Sequence, residues 1–308
     1  MKFMSKYVPR STLETMYKSY VRSQLEYCDV IYHHPPLVIN HLSIYNLNEI
    51  MTKVESVQYR AALVATGAWR GTSKEKLYDE LGWESLSQRR WLRRMTLFSK
   101  IVNNQTPTYL KDLLHLNYHP DEPIRSFHPR TERYKASFFP SCVDCWNNNS
   151  IITPVMRNYV TRKLNLHFLG KIKPKKKETY DIFDNKGLRQ LTLLRLDLNP
   201  LNYYKFNHNF RDTHDPMCLC LNGVEDTEHF LLNCHDFTHI RNTLMSNVSQ
   251  KLNVNILSFT PNKIINILLY GNKKYKKDVN TYVLNQTINY IDKSKRFEKK
   301  PDDDQAEI

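Results

Sequence analysis

A mainly α-helical protein is predicted by two features of this 308-residue sequence, set in a composition able to fold. Apolar residues recur three and four positions apart over long stretches. Helix start and stop residues stand at the ends of those stretches. The hydrophobic fraction of 41%, with 12% aromatics, is enough for two domains with real cores. The reading divides the chain into a helical domain over 1–115, an irregular connector over 116–180, a small α-rich domain over 181–292 and a disordered charged tail over 293–308.

In the first helix, Ser11-Thr12-Leu13-Glu14 has the pattern of a capping box. Leu13, Met16, Tyr17, Tyr20, Val21, Leu25 and Cys28 then follow the helical period, and Pro35-Pro36 is the expected stop. A second helix carries Leu47, Ile50, Met51, Val54, Val57, Ala61 and Ala65 on its inner side and ends near Gly67. A short third helix spans about 73–82, with Leu77 and Leu81 inward. A fourth starts near Ser85 or Ser87 and ends before Pro107.

At about 100° per residue the fourth helix has two arcs. Trp91, Leu92, Met95, Phe98 and Val102 form one. Arg89, Arg90, Arg93, Arg94 and Lys100 form the other, with no acid among them to pair at i,i+4. The expectation is a core-packed side and a cationic side able to contact backbone phosphates.

From Asn117 to Pro154 five prolines punctuate a polar, aromatic connector, with one or two short strands expected around Arg133–Phe139. Cys142 and Cys145 lie in it as a C-x-x-C with no matching second half, and read as two unrelated cysteines. Met156–Leu169 is a candidate helix. Lys171, Lys173, Lys175, Lys176 and Lys177 then form a basic run, at once a linker and a candidate phosphate-binding patch. Leu188–Leu198 resumes the helical period, and helices are expected at Ile240–Leu252, Asn262–Tyr270 and Tyr282–Ile291.

Charge and cysteine content narrow the function. The net charge of +14 favours polyanionic partners, nucleic acid above all. Seven glycines make glycine-rich phosphate cradles unlikely chemistry for this chain. No apolar run approaches the roughly 18–20 residues of a membrane span, and the charged N-terminus lacks a signal-peptide core. Six cysteines in a chain of this length point to a reducing, intracellular setting, nucleus or cytoplasm, rather than a disulfide framework.

Cys218, Cys220, His229 and Cys234 stand in the spacing C-x-C-x8-H-x4-C. Three thiolates and an imidazole are a closed tetrahedral set for structural Zn2+. Asn222-Gly223 supplies a turn between the arms, and Asp226 or Thr227 a cap for a helix carrying His229. His214, His235 and His239 are nearby competitors for the metal.

Tyr17–Tyr27, Val54–Ala62, Leu77–Leu81 with Leu86–Arg90, Arg133-Tyr134 with Ser137–Pro140 and Trp146-Asn147, and the terminal Cys218, Cys220, His229, Cys234 set carry a shared pattern. Together they resemble the C-terminal part of non-LTR (LINE-type, jockey-like) retrotransposon reverse transcriptases. The resemblance implies that the N-terminal helices form a thumb-like domain gripping a template–primer duplex. It also implies that the CCHC zinc knuckle closes the C-terminal region. The paired aspartates of a polymerase palm, which hold two Mg2+ ions, have no counterpart. The only Asp-Asp run is Asp302–Asp304, in the charged tail. The expectation is therefore an RNA- or DNA-duplex-binding protein with no Mg2+ site and no polymerase activity of its own, with the fingers and palm of the same element as a possible partner and no membrane. The competing expectations are a domesticated, zinc-stapled protein-interaction module and, less in keeping with four protein ligands, a metal-dependent hydrolase.

Overall fold

The computed structural model describes residues 7–32, 45–114, 124–147, 177–180, 182 and 184–298. Outside them lie the Pro35-Pro36 stop, the Met156–Leu169 helix, Lys171, Lys173, Lys175 and Lys176, and Asp302–Asp304; so do the side chains of Leu47, Ile50 and Met51. The fold is mainly helical, with no strand among the described residues. Its helices are α1 (Arg10–Met16), α2 (Ser23–Leu25), α3 (Asp29–Tyr32), α4 (Tyr45–Thr66), α5 (Lys74–Leu81), α6 (Leu86–Val102), α7 (Thr108–Asp112), α8 (Glu132–Ala136), α9 (Phe138–Asn147), α10 (Asn185–Arg195), α11 (Asn202–Asn207), α12 (Thr238–Leu252), α13 (Pro261–Tyr270) and α14 (Lys277–Ser294).

The chain forms two compact units, and they are not consecutive in sequence. One gathers the described residues of Met1–Glu14, Ala62–Leu81 and Lys176–Ile308; the other those of Thr15–Ala61 and Gly82–Lys175. The boundaries expected at 115 and 180 do not coincide with them. A physical reason lies in the buried charge of Glu80. Its Oε1 accepts from Arg10 Nη1 at 2.9 Å and Arg195 Nη1 at 3.2 Å, and Glu80 itself is 2% exposed. Three residues 70 and 115 positions apart must therefore share one unit. Such a pairing has no periodicity and leaves no local trace in sequence.

In this first unit, α10, α12, α13 and α14 enclose one apolar cluster that includes Leu191, Leu244, Val248, Leu268, Leu284 and Ile291. α14 packs against the other three. Its C-terminal end departs from expectation. Residues 293–298 are ordered rather than tail: Lys295 caps the helix in the left-handed region (φ 52°), and Phe297 packs on Phe230 at 5.7 Å between ring centroids. An aromatic in that charged run gives it apolar surface to bury.

The second unit contains α6 and α9 around Met95, Phe98, Ile101, Val143 and Trp146. Ser85 caps α6 as expected, its Oγ accepting from Gln88 N at 3.1 Å. Three other expectations change. Helix α1 starts at Arg10, so Ser11 lies inside it; Leu13 N donates to Pro9 O at 3.1 Å, and Pro9 occupies a place where no N–H is needed. The helix then widens into a π turn over Tyr17–Arg22 and breaks at Cys28 (φ 50°), well before Pro35. That turn shifts the face: Tyr17 is buried, whereas Tyr20 is 72% exposed. On α4 the inward position belongs to Gln58 and not Val57. Gln58 accepts from Tyr17 Oη at 2.8 Å and donates to Glu84 O at 2.9 Å.

The strands expected near Arg133–Phe139 are helices α8 and α9. Thr131 Oγ1 caps α8 by accepting from Tyr134 N at 3.2 Å, and Pro140 sits in the first turn of α9, where its missing N–H costs nothing. Cys142 is buried in the apolar cluster, with Cys145 packed against it. Burial pushes the Cys142 thiol up to about 11, so it behaves as a core residue.

Candidate metal centre

Short-range geometry builds the site from two arms. In the first, Met217 and Val224 form an isolated antiparallel bridge, and Cys218 N donates to Gly223 O at 2.9 Å. The loop between them turns through Leu221 (φ 61°) and Gly223 (φ 152°). A Cβ on Gly223 would stand 3.3 Å from His229 Nδ1, so glycine lets the loop approach the imidazole closely. This Asn222-Gly223 turn brings Cys218 and Cys220 over the second arm.

The second arm starts at Asp226, whose Oδ1 accepts from His229 N at 2.7 Å; of the two expected caps, this one forms. The segment His229–Asn233 is π-helical, closed by Cys234 N donating to His229 O at 2.7 Å. This widening is what makes the H-x4-C spacing usable. In a regular α-helix, residues five apart point about 140° away from each other. The π turn brings residue 234 back towards residue 229. Tyr290 of α14 holds the arm in place, its Oη donating to Phe230 O at 2.5 Å.

The four expected ligand atoms converge, all within 4.8 Å of one another. Cys218 Sγ lies 3.7 Å from Cys234 Sγ, and Cys220 Sγ lies 3.2 Å from His229 Nε2. Cys218, His229 and Cys234 are buried and Cys220 is half-buried. The cluster can hold a metal ion. His214, His235 and His239 are exposed and outside it.

The backbone N–H two positions on lowers each thiol, that of Cys220 acting on Cys218, Asn222 on Cys220 and Asp236 on Cys234, and the His235 N–H lowers Cys220 as well. Such donors favour a thiolate over a thiol and orient it for a metal. Burial still pushes Cys218 up to about 12 and raises Cys234. Burial also opposes ionisation of Cys220, but the N–H groups of Asn222 and His235, together with the side chains of Cys218 and His229, outweigh it and hold that thiol down to about 6.

Sequence reasoning missed the residues around this core. Glu225, 1% exposed, accepts from Arg296 Nε at 2.6 Å and from Asn202 N at 2.8 Å. Asn202 Nδ2 donates to Met217 O at 2.7 Å, and Arg241 Nη1 to Cys234 O at 2.6 Å. Glu225 beside it raises Arg296, and Cys218 and Cys234 add to that effect. Arg296 stood in the charged run read as tail, so only its contacts could identify it.

The cationic arc expected on α6 is corrected. Arg90 and Arg94 are buried, at 5% and 1% exposure. Arg90 Nη2 donates to Leu25 O at 2.7 Å; Arg94 donates to Val30 O at 3.3 Å, Ala136 O at 3.4 Å and Ser141 Oγ at 2.6 Å. Leu25 and Ala136 end α2 and α8, where carbonyls lack helical partners. Arg89 bonds Glu26 at 2.5 Å and Glu84 at 3.3 Å, and Arg93 bonds Asp29 at 3.1 Å. The wheel separated the two arcs properly, but neighbouring segments bury Arg90 and Arg94 and pair Arg89 and Arg93 with acids, Arg93 staying exposed. Lys100 remains exposed, as does Lys177, whose Nζ lies 5.6 Å from the Tyr270 ring centre.

No helix among the described residues is long and apolar enough to cross a membrane. No family model, curated protein or solved structure matches this chain.

Proposed function

We propose that this chain is a zinc-stapled, nucleic-acid-binding C-terminal portion of a non-LTR retrotransposon reverse transcriptase, with no polymerase chemistry of its own. The observation that carries the reading is the convergence of Cys218, Cys220, His229 and Cys234. A tetrahedral Zn2+ with bonds of about 2.3 Å to sulfur and 2.0–2.1 Å to nitrogen separates its ligands by roughly 3.8 Å (S to S) and 3.5 Å (S to N). The two contacts of 3.7 and 3.2 Å fit an ion of that size. Four protein ligands leave no open position, so the ion would be structural rather than hydrolytic. It would fasten the Cys218–Gly223 loop to the π-helical arm. The backbone N–H groups would hold the thiolates, with Arg241 and Arg296 beside them.

Nucleic-acid binding draws on the net charge of +14, on the exposed Lys100 and Lys177, and on the family resemblance. The test joins metal analysis to binding. Wild type should carry one Zn2+ per chain, and Cys218→Ser and Cys234→Ser should lose it; unchanged stoichiometry in both rejects the site. RNA and duplex should bind tightly at low salt and weaken steeply as salt rises. Template-directed synthesis by this chain alone would overturn the non-catalytic reading.

A second reading, a zinc-stapled protein-interaction module, is favoured by the internal neutralisation of the α6 arginines. Stable protein complexes, with no RNA or duplex binding at low salt, would select it.

A further inference from the structure

We propose that an exposed aromatic cluster next to the metal loop, Trp69 with Tyr204, His208 and Phe210, is a stacking surface for the bases of single-stranded nucleic acid, with Arg70 and Arg211 at its phosphate-facing edge. This rests on the nucleic-acid reading above and assigns it a site and a strandedness.

The four rings support one another. Tyr204 stacks on His208 at 4.0 Å between centroids and 30° between planes. Trp69 lies 5.9 Å from both Tyr204 and Phe210. Yet the group is not core. Trp69 is 36% exposed, His208 is exposed, and Tyr204 and Phe210 are only half-buried. The backbone around it is fixed. Thr72 Oγ1 donates to Trp69 O at 2.7 Å, closing the turn after α4. Phe210 N donates to Lys205 O at 3.0 Å, and Thr213 N to Phe210 O at 3.2 Å. Rings held in place by short backbone bonds offer faces to a base at low ordering cost.

Charge selects the occupant. An exposed arginine directly follows an aromatic on each segment, Arg70 after Trp69 and Arg211 after Phe210. The acids nearby in sequence are engaged: Asp212 bonds Lys205 Nζ at 2.6 Å, and Asp215 Oδ1 accepts from Met217 N at 2.7 Å. Aromatic faces interleaved with cations suit a chain of bases linked by phosphates. A duplex hides its base faces in the stack and could use only the arginines. The surface is tied to the metal loop as well, because Tyr203 N donates to Glu225 O at 3.2 Å.

The test uses the full, zinc-loaded chain with fluorescein-labelled oligothymidine and oligouridine single strands and a duplex of equal length. Trp69→Ala should weaken single-strand binding about 5- to 150-fold, the range of one lost base–aromatic stack, and leave the duplex unchanged. Trp69→Phe should keep most of the affinity. Arg70→Glu should weaken both probes and flatten the salt dependence. Strand binding should quench wild-type tryptophan fluorescence but not that of Trp69→Phe, a readout independent of whether Trp69→Ala folds. Preference for one of the two single strands would set the sugar. Equal single-strand affinity of wild type and Trp69→Ala, with no Trp69 quenching, overturns this inference and leaves the nucleic-acid reading intact. Absence of binding to every probe at low salt overturns both. Competition at Trp69 by a protein partner, without strand binding, would replace the occupant.

Discussion

Replacing Glu80 by glutamine should destabilise the protein by about 3–5 kcal/mol, the usual cost of removing one partner from a buried charge group. Two arginines converge on its Oε1, Arg10 at 2.9 Å and Arg195 at 3.2 Å, and Glu14 adds a second acid 3.4 Å from Arg10. The group is balanced, with two positive and two negative charges, and its side chains are at most 5% exposed. Glutamine keeps the shape and one acceptor but leaves a surplus positive charge away from water. Burial lowers Arg195 further and Glu80 opposes that, so the glutamine variant strands a cation that already resists charging. The remaining bonds of Arg195, Nε to Leu269 O at 2.7 Å and Nη2 to Glu178 O at 3.2 Å, do not supply charge. Guanidinium denaturation at fixed zinc measures the loss. Glu80→Gln combined with Arg195→Met should lose less than the sum of the two single changes, because the second removes the stranded charge. Lys186→Ala, which breaks an exposed pair with Asp292 at 3.2 Å, should cost under about 1 kcal/mol. A Glu80→Gln loss below about 1 kcal/mol, or strict additivity in the double variant, would refute the reasoning.

Gly223→Ala should lower zinc affinity by about 5- to 150-fold, since φ 152° strains an alanine by roughly 1–3 kcal/mol and its Cβ presses on His229 Nδ1 at 3.3 Å; competition with a chromophoric chelator measures it, and wild-type affinity would refute it. Stability should also fall at alkaline pH through Cys142. Its folded value of about 11 lies above the usual 9.0, so its contribution is complete below pH 9 and is lost as pH rises towards 11. Cys142→Ala should flatten that part of the stability–pH curve, and an unchanged slope would count against the assignment.

The extent of sequence legibility differs between elements for identifiable reasons. α5 and α6 could be read because Leu77, Leu81, Met95 and Phe98 repeat at helical spacing and Ser85 caps α6 by a bond only three residues long. The candidate metal ligands could be read because their spacing is local. The π turn that makes His229 and Cys234 neighbours was not legible, since no residue type announces it. The arginines of α6 were misread because a helical wheel reports which side a residue is on and not what lies there. Carbonyls at the ends of α2 and α8 are acceptors in every sequence, and only packing decides that Arg90 and Arg94 reach them.

The sequence by itself determined the mainly helical class, the course of most helices and the four residues of the candidate metal centre. Each depends on contacts within a few positions, or on a ligand set whose chemistry is fixed by residue type. The tertiary structure decided which distant segments share a unit, through Arg10, Glu80 and Arg195, and how Glu225 and Arg296 brace the metal loop. It also decided that two cations of one helix, Arg90 and Arg94, would be spent inside the fold and two more, Arg89 and Arg93, on neighbouring acids. Long-range electrostatics is settled by distance and desolvation, and neither quantity exists until the chain has folded.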